Sequence, residues 1–479
     1  MSIPTSTFAH MARRQKVRMV YDVPVVDVAD RGKSVAKDEE GKVYFVDGAV
    51  PGDVVDILVL KKRKSHFQGV IKAYKSYSPE RVEARCQHFG VCGGCKWQHF
   101  DYAAQLKYKQ NTVLNAATRI GKVDAAVIQD IKGSEEIFYY RNKVEYSFSN
   151  KRWLTEEEVR SEGEIQQSPA FGFHRPGAWD KIVDIQECLL QDPLSDRMRN
   201  SLRDYTKEHN ISYYDPRAHT GLMRNMIVRC TTTGDWMVIV SFGEPDMDTV
   251  NGVMEHLKTN FPEISSLHYV INQKQNDTIL DQDIILYSGK DYIIEQLGTV
   301  KYKIGTKSFF QTNSRQAKVL FDVVADYAGW TGTENVYDLY TGLGSIALYI
   351  SASVGSVVGI EEVAAAIEDA KVNAALNDIT NATFYAGDVK DILTPDFALQ
   401  HGKPDVVITD PPRAGMHKDV VSMLLALAAP KIVYVSCNPA TQARDIELLS
   451  AKYDTISMTP VDMFPHTHHI ESVALLQLR

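Results

Sequence analysis

The sequence predicts an α/β protein, with a doubly wound parallel sheet in its C-terminal part behind a small all-β barrel and a mixed α+β middle region. Three observations carry this. From about residue 301, strand-like apolar runs alternate with helical patterns, the signature of βαβ units. Residues 16–78 hold short β-type runs broken at close intervals by Gly and Asp, which suits a small barrel. The chain has 479 residues, 44% apolar and 24% charged, an ordinary composition for a folded soluble protein. That length is enough for about three domains.

Taken in order, residues 1–12 read as a loose tail. The barrel runs are VRMVYDVPVVDVA, GKVYFVDGAV, DVVDILVL and FQGVIKAYK. Net charge is −8 overall, yet residues 1–80 carry 14 basic and 10 acidic side chains, whereas residues 301–479 carry 14 and 20. The basic excess includes Lys61, Lys62, Arg63 and Lys64. On charge alone, that run suits a nucleic-acid contact or a solvated loop equally. Residues 79–98 hold three of the six cysteines, too few for a disulfide framework in a chain this long. Residues 100–120 read as one amphipathic helix, and residues 135–300 mix strand and loop signals. The N-terminal stretch has no apolar core of a secretory signal, and no apolar run reaches membrane length. A cytoplasmic protein without a membrane partner, monomeric by default, is the expectation.

In the C-terminal part the predicted strands are ENVYDLY, SVVGIE, ATFYAGD, DVVITD and KIVYVSCNP, with SVALLQL last. Ligands of such sheets bind beyond the carboxyl ends of the strands, so those ends hold the candidate residues. The first strand leads into Tyr340, Gly342, Gly344 and Ser345, where glycines allow close approach of a ligand to the backbone. The second ends in Glu361, 17 residues after Gly344 and suited to the two hydroxyls of an adenosine ribose. This pair does not choose between NAD and S-adenosylmethionine, and Glu361 could equally be a solvated helix N-terminus. Asp388 closes the third strand, as an adenine contact or a helix N-cap. Asp410 precedes Pro411 and Pro412, which fix its backbone in an extended conformation. Arg413 stands where amino-group methyltransferases place a base-stacking aromatic, which argues against methylation of an exocyclic amine. Cys437, on the turn from the fifth strand into a helix, is placed to be a low-pKa thiolate, although a buried cysteine would read the same way. Glu471 precedes the last strand and could be a general base. The spacing of His466, His468 and His469 matches no zinc site, and Cys230 reads as a core residue.

Together, Asp-Leu-Tyr-x-Gly-x-Gly, Asp-Pro-Pro-Arg-x-Gly, Ser-Cys-Asn-Pro and His-Ile-Glu resemble the RNA uracil-C5 methyltransferases, over essentially the whole chain. The resemblance implies a Rossmann-like class I methyltransferase domain over residues 301–479, dependent on S-adenosylmethionine. It implies an OB-like TRAM barrel for RNA over residues 1–78. It also implies a central domain over 79–300, whose Cys86-x5-Cys92-x2-Cys95 motif and distant Cys188 hold a [4Fe–4S] cluster. Spacing alone leaves zinc and iron–sulfur open for those four cysteines. Helix 100–120 is expected to pack on the catalytic domain.

By the same resemblance, Cys437 is the nucleophile that adds to C6 of uracil and Glu471 the base that removes the C5 proton. Gln311 would contact the methionine end of the cofactor. Tyr340, Gly342 and Ser345 would line its pocket, Glu361 would take the ribose, Asp388 the adenine and Asp410 the sulfonium side. Thr341 departs from the cysteine many members carry there, without consequence for the mechanism. Barrel plus four cysteines favours 23S ribosomal RNA over tRNA, because the bacterial tRNA enzyme of the family typically lacks both. An NAD-dependent dehydrogenase would leave Asp410 and Cys437 without roles, and a non-catalytic RNA-binding protein would have no use for Cys437 with Glu471.

Overall fold

A computed structural model describes residues 18–161 and 168–479; the loose tail expected over residues 1–12 lies outside them. The described chain forms two compact units, one built from the barrel and its flank, the other from residues 84–98 and 102–479.

In the first unit, β1 (Arg18–Ala29), β2 (Lys33–Lys37), β3 (Val43–Val46), β4 (Val54–Lys62) and β5 (Phe67–Ser76) close into a barrel in the order β1-β2-β3-β5-β4. Alternating residues point inward, among them Val23, Val25, Tyr44, Val46, Val55 and Ile57. Strand β2 is absent from the four predicted runs because its buried residues are Ser34 and Ala36, a weak apolar signal. The fully buried Asp53 ties the barrel's end together. Its carboxylate accepts from the backbone N–H of Val50 (2.7 Å) and of Ser78 (2.8 Å), and from Arg81 Nη2 (2.5 Å). The basic run from Lys61 to Lys64 is exposed.

The second unit begins with α1 (Tyr102–Arg119). A seven-stranded central sheet follows, made of β6 (Lys143–Ser149), β7 (Ala170–Arg175), β8 (Ala178–Asp184), β9 (Met223–Cys230), β10 (Trp236–Phe242), β11 (Ile264–Ile271) and β12 (Ile285–Gly289). Its order is β12-β11-β10-β9-β6-β7-β8. Helices α2 (Glu156–Arg160), α3 (Pro193–Glu208) and α4 (Met247–Asn260) lie between these strands in sequence. A hairpin, β13 (Tyr292–Leu297) and β14 (Val300–Gly305), and α5 (Ser314–Ala328) lead into the C-terminal sheet. The hydrophobic core is continuous across residue 300, since Ile227, Met237 and Ile239 share it with Val336, Ile408 and Val433.

The C-terminal sheet contains β15 (Asn335–Leu339), β16 (Ser356–Glu361), β17 (Ala382–Ala386), β18 (Val406–Thr409), β19 (Lys431–Ser436), β20 (Tyr453–Val461) and β21 (Glu471–Leu478). Between them run α6 (Ser345–Ile350), α7 (Ala364–Leu376), α8 (Val389–Ile392), α9 (Pro395–His401), α10 (Lys418–Leu427) and α11 (Pro439–Leu449). Strands β15 to β19 pair in parallel and β21 runs antiparallel, in the order β17-β16-β15-β18-β19-β21-β20. Buried on both faces, β15, β16, β18 and β19 read as near-continuous apolar runs, which made them legible. The order reverses between β15 and β18, opening a crevice at their carboxyl ends. Strand β20 was not foreseen. It is an edge strand carrying Pro460, and its alternating polar residues lack the continuous apolar signal.

Helix α1 packs against α11 and buries the stripe Gln105, Tyr108, Lys109, Val113 and Ala117. Lys109 in that stripe has no solvent exposure. Its ammonium donates to Asp462 Oδ1 at 2.5 Å and to the Phe464 carbonyl at 3.0 Å. Tyr102 donates to the other Asp462 oxygen (3.0 Å), and Gln105 Oε1 accepts from His466 N–H (2.7 Å). Removing one partner of a buried ion pair leaves the other charge uncompensated, so Lys109→Ala is expected to destabilise this unit by about 3–5 kcal/mol. Urea unfolding checks this; a loss below about 1 kcal/mol, the range of exposed pairs, would contradict it.

Candidate active site

The segment after β20 that Lys109 pins carries His466, His469 and Glu471 back to the mouth of the sheet. Asn313 Nδ2 holds it from α5's side through the Met463 carbonyl (3.0 Å), and Tyr140 through the Pro465 carbonyl (2.9 Å). This places Glu471, the first residue of β21, beside Cys437, which follows the neighbouring β19. Asp410 arrives from the end of β18. These three and Gln311 line one cavity of about 390 Å³. Sequence reasoning missed several of its walls: Arg141, Phe309, Thr312, Phe464 and His469. Arg413 was read only for the aromatic it replaces, yet its Nη2 donates to His469 Nδ1 at 2.7 Å. Because a guanidinium only donates, His469 accepts at Nδ1 and carries its proton on Nε2. Burial, then the charges of His468 and Arg413, hold His469 down at about 3, so it is neutral.

Electrostatics corrects one expectation. Burial pushes the Cys437 thiol up to about 11, and the nearby Glu471 and Asp410 carboxylates add to the rise against Arg413. The turn into α11 supplies no low-pKa thiolate in the free protein, because two anionic neighbours and desolvation outweigh it. Glu471 is itself raised well above the ordinary carboxylate value, by burial and then by the charge of Asp410. Asp410 is pushed up to about 7 by burial and by Asp338, and Asp338 to about 7 by burial, with Glu361 adding to the rise. Asp338 and Asp410 crowd one end of the crevice, which suits a cationic ligand there.

The remaining predicted residues lie along the same carboxyl edge. Tyr340 (φ +64°) and Gly342 (φ +58°) sit in left-handed backbone after β15. For a residue as bulky as tyrosine that conformation is strained, and such strain collects where a loop must fit a ligand. Buried Asp338 braces the loop, accepting from Thr341 Oγ1 (2.5 Å) and Ala347 N–H (3.1 Å). Ser345 opens α6. Glu361 accepts from Gly342 N–H (3.1 Å) and Val363 N–H (2.9 Å), one on each oxygen, which fixes the carboxylate plane. Asp388 caps α8 and pairs with Lys390, so the helix-cap reading of this residue is realised.

Cys86, Cys92, Cys95 and Cys188 line a second cavity, of about 380 Å³, and none is in a disulfide. Gln98 Nε2 points at Cys95 Sγ (3.3 Å) and Gly94 N–H at Cys92 Sγ (3.4 Å). Arg199 and Arg175 lend positive charge to Cys92, and each has a buried Nε without a hydrogen-bond partner. Among the described residues, no three His, Cys, Asp or Glu side chains converge tightly enough to hold a single metal ion. Arg141 and His469 line both cavities, and so form their common wall. Cys230 packs partly buried against the central core.

The family model for tRNA (uracil-5-)-methyltransferases matches residues 269–479, and that for the TRAM domain matches residues 14–68. A Bacteroides thetaiotaomicron protein named as an RNA methyltransferase is 50% identical over 455 residues, covering 94% of this chain and 100% of its own. One from Porphyromonas gingivalis, likewise named, is 50% identical over 459 residues, with 94% and 98% covered. Among solved structures, the Pyrococcus abyssi tRNA (uracil-54, C5)-methyltransferase in complex with S-adenosyl-L-homocysteine superposes with a TM-score of 0.72 at 29% identity. It covers 95% of this chain and 100% of that one. No helix among the described residues is long and apolar enough to cross a membrane.

The charge around Cys437 makes its reactivity measurable. Alkylation of Cys437 by iodoacetamide, followed by peptide mass spectrometry, is expected to keep climbing from pH 8.5 to 10.5 in the free protein. Glu471→Gln removes a raising charge and is expected to shift the curve to lower pH. A plateau by pH 8 in the unaltered protein would contradict the assignment.

Proposed function

The chain belongs to the RNA uracil-5-methyltransferase family, whose reaction depends on S-adenosylmethionine, and we propose that it methylates C5 of a uridine in 23S ribosomal RNA through a covalent bond between Cys437 and C6. The observation that carries this is the convergence of Cys437, Glu471, Asp410 and Gln311 on one cavity, from four separate elements. The dehydrogenase reading has no support in the family, and it gives Cys437 and Glu471 nothing to do.

C5 of uracil is too poor a nucleophile to take a methyl group directly. Cys437 Sγ, once deprotonated, adds to C6 and leaves an enolate that is nucleophilic at C5. S-adenosylmethionine supplies the methyl group, and its sulfonium charge offsets the carboxylates that raise the thiol in the free protein. Glu471 then takes the C5 proton, and the returning electron pair expels Cys437. The base must leave its stack to reach this depth. Gln311 meets the methionine end of the cofactor; Tyr340, Gly342 and Ser345 line its pocket. Glu361, held flat by two backbone donors, keeps lone pairs for the ribose hydroxyls, and Asp388, besides capping α8, is the residue the resemblance gives to the adenine.

The four-cysteine cavity fits a [4Fe–4S] cluster held by Cys86, Cys92, Cys95 and Cys188. Four thiols line one space, two N–H groups aim at sulfur, and the buried Arg199 and half-buried Arg175 guanidiniums suit an anionic cluster. Bound there, such a cluster would hold the common wall of Arg141 and His469, since Cys437 and Glu471 already carry the chemistry. The division of labour is then three-part: residues 1–78 hold RNA, 79–300 hold the cluster and more RNA, and 301–479 carry out the transfer.

Barrel and cysteine cavity together favour ribosomal RNA, because the resemblance places both features outside the bacterial tRNA enzymes. A tRNA target is the second reading, favoured by the Pyrococcus abyssi tRNA enzyme, which matches this architecture along its whole length. Tritium release decides between them. Protein purified without air is given S-adenosylmethionine and ribosomal RNA or tRNA carrying [5-³H]uridine. Cofactor-dependent release from ribosomal RNA is expected, and Cys437→Ala is expected to abolish it while RNA binding persists. Release from tRNA alone would move the substrate assignment, and wild-type release by Cys437→Ala would refute the nucleophile.

The crowded carboxylates predict a pH signature in cofactor binding. Asp338 and Asp410, both raised to about 7, ionise as pH rises and then favour the sulfonium cation over the neutral thioether of S-adenosylhomocysteine. Calorimetry is expected to show the preference for S-adenosylmethionine growing by up to about tenfold per ionised carboxylate between pH 6 and 8. Asp410→Asn should flatten the dependence, and a pH-independent ratio in the unaltered protein would contradict it.

A further inference from the structure

Outside both cavities, the central sheet carries a third recess of about 100 Å³ near the β7–β8 hairpin. We propose that it takes one unstacked nucleobase of the RNA substrate, an adenine. This deepens the functional reading above and rests on its RNA substrate.

The recess has the parts that recognise a flat heterocycle. Phe148 and Tyr214 are buried aromatic walls, and the Arg224 guanidinium lies 4.0 Å from the Tyr214 ring centroid. Arg224 is fixed there by its donation to the Asn272 carbonyl (2.6 Å) and to Asp277 (2.8 Å). At the rim stands Trp179, 61% exposed, with the Arg217 guanidinium 5.7 Å from its ring. Arg217 is anchored in turn on Asp180 at 2.7 Å. An indole left in water at the edge of a polar recess is a stacking surface without its partner.

Asn225 sets the chemistry of the ligand. It is 4% exposed and lines the recess, and its Oδ1 is buried with no hydrogen-bond partner. Leaving such an acceptor unpaired is costly, and an N–H brought by a ligand would satisfy it. The amide nitrogen makes a hydrogen bond of 3.2 Å to Ser147 Oγ, which can yield to a better acceptor. Oxygen wanting a donor beside nitrogen able to find an acceptor is the pattern an asparagine presents to N6–H and N7 of adenine.

The test uses the full-length protein and six-residue oligoadenylate and oligouridylate, with affinities read by fluorescence anisotropy. Oligoadenylate is expected to bind more tightly. Trp179→Ala is expected to weaken it by about tenfold, in keeping with loss of one stacked base. Asn225→Leu is expected to narrow the preference for oligoadenylate over oligouridylate. Because Asn225 is buried, S-adenosylmethionine binding by each variant serves as the check on folding, and the exposed Trp179 keeps the test sound if Asn225→Leu misfolds. Equal affinity for the two oligomers, or oligoadenylate binding that Trp179→Ala leaves unchanged, would overturn the proposal. Tritium release separates the two readings. Release from ribosomal RNA with no adenylate preference ends the recess and keeps the enzyme. Adenylate binding through Trp179 without release keeps the recess and ends the enzyme assignment.

Discussion

The buried ion pair between Lys109 and Asp462 is the constraint on which both cavities depend. A lysine without solvent exposure is tolerated only with a close anionic partner, and here the partner opens the segment that leads from β20 to β21. Along that segment Phe464, His469 and Glu471 face the catalytic cavity, while Thr467 and His469 face the cysteine cavity. Helix α1 is therefore more than a packing element. Its polar residues hold the part of the chain that the two sites share, and Trp97 N–H and Lys96 N–H, from the cysteine-bearing stretch, bond the same His466 carbonyl at 3.0 Å.

A second constraint is electrostatic. Asp338 braces the loop after β15, Glu361 flattens against it, and Asp410 and Glu471 crowd Cys437. In the free protein this arrangement raises the Cys437 thiol. On the proposed mechanism, the sulfonium charge of the methyl donor is what would favour the thiolate. Arg413 supplies some positive charge already, and it is oriented by a histidine kept neutral through burial.

Much of this was legible in the sequence because the chemistry sits at strand ends that announce themselves. Asp410 precedes two prolines, Cys437 sits between Ser436 and Asn438-Pro439, and the parallel strands are unbroken apolar runs. What was hidden depends on distance in the chain. Arg141 and His469 share a wall although they come from opposite ends of the second unit, and no local spacing signals that. The turn at Cys437 suggested a low-pKa thiol, but Glu471 and Asp410, which reverse the effect, reach it only through the sheet. Strands β2 and β20 lacked signal for a simpler reason: one buries Ser34 and Ala36, and the other is a proline-bearing edge.

The central claim is the bond between Cys437 and C6, and a base that cannot complete the reaction exposes it directly. RNA containing 5-fluorouridine is incubated with the protein and S-adenosylmethionine. Fluorine at C5 leaves Glu471 no proton to remove, so the adduct should accumulate. Mass spectrometry of the digested complex is then expected to find methylated fluorouridine on the peptide carrying Cys437. Methylated RNA without any adduct, or an adduct on another residue, would contradict the account.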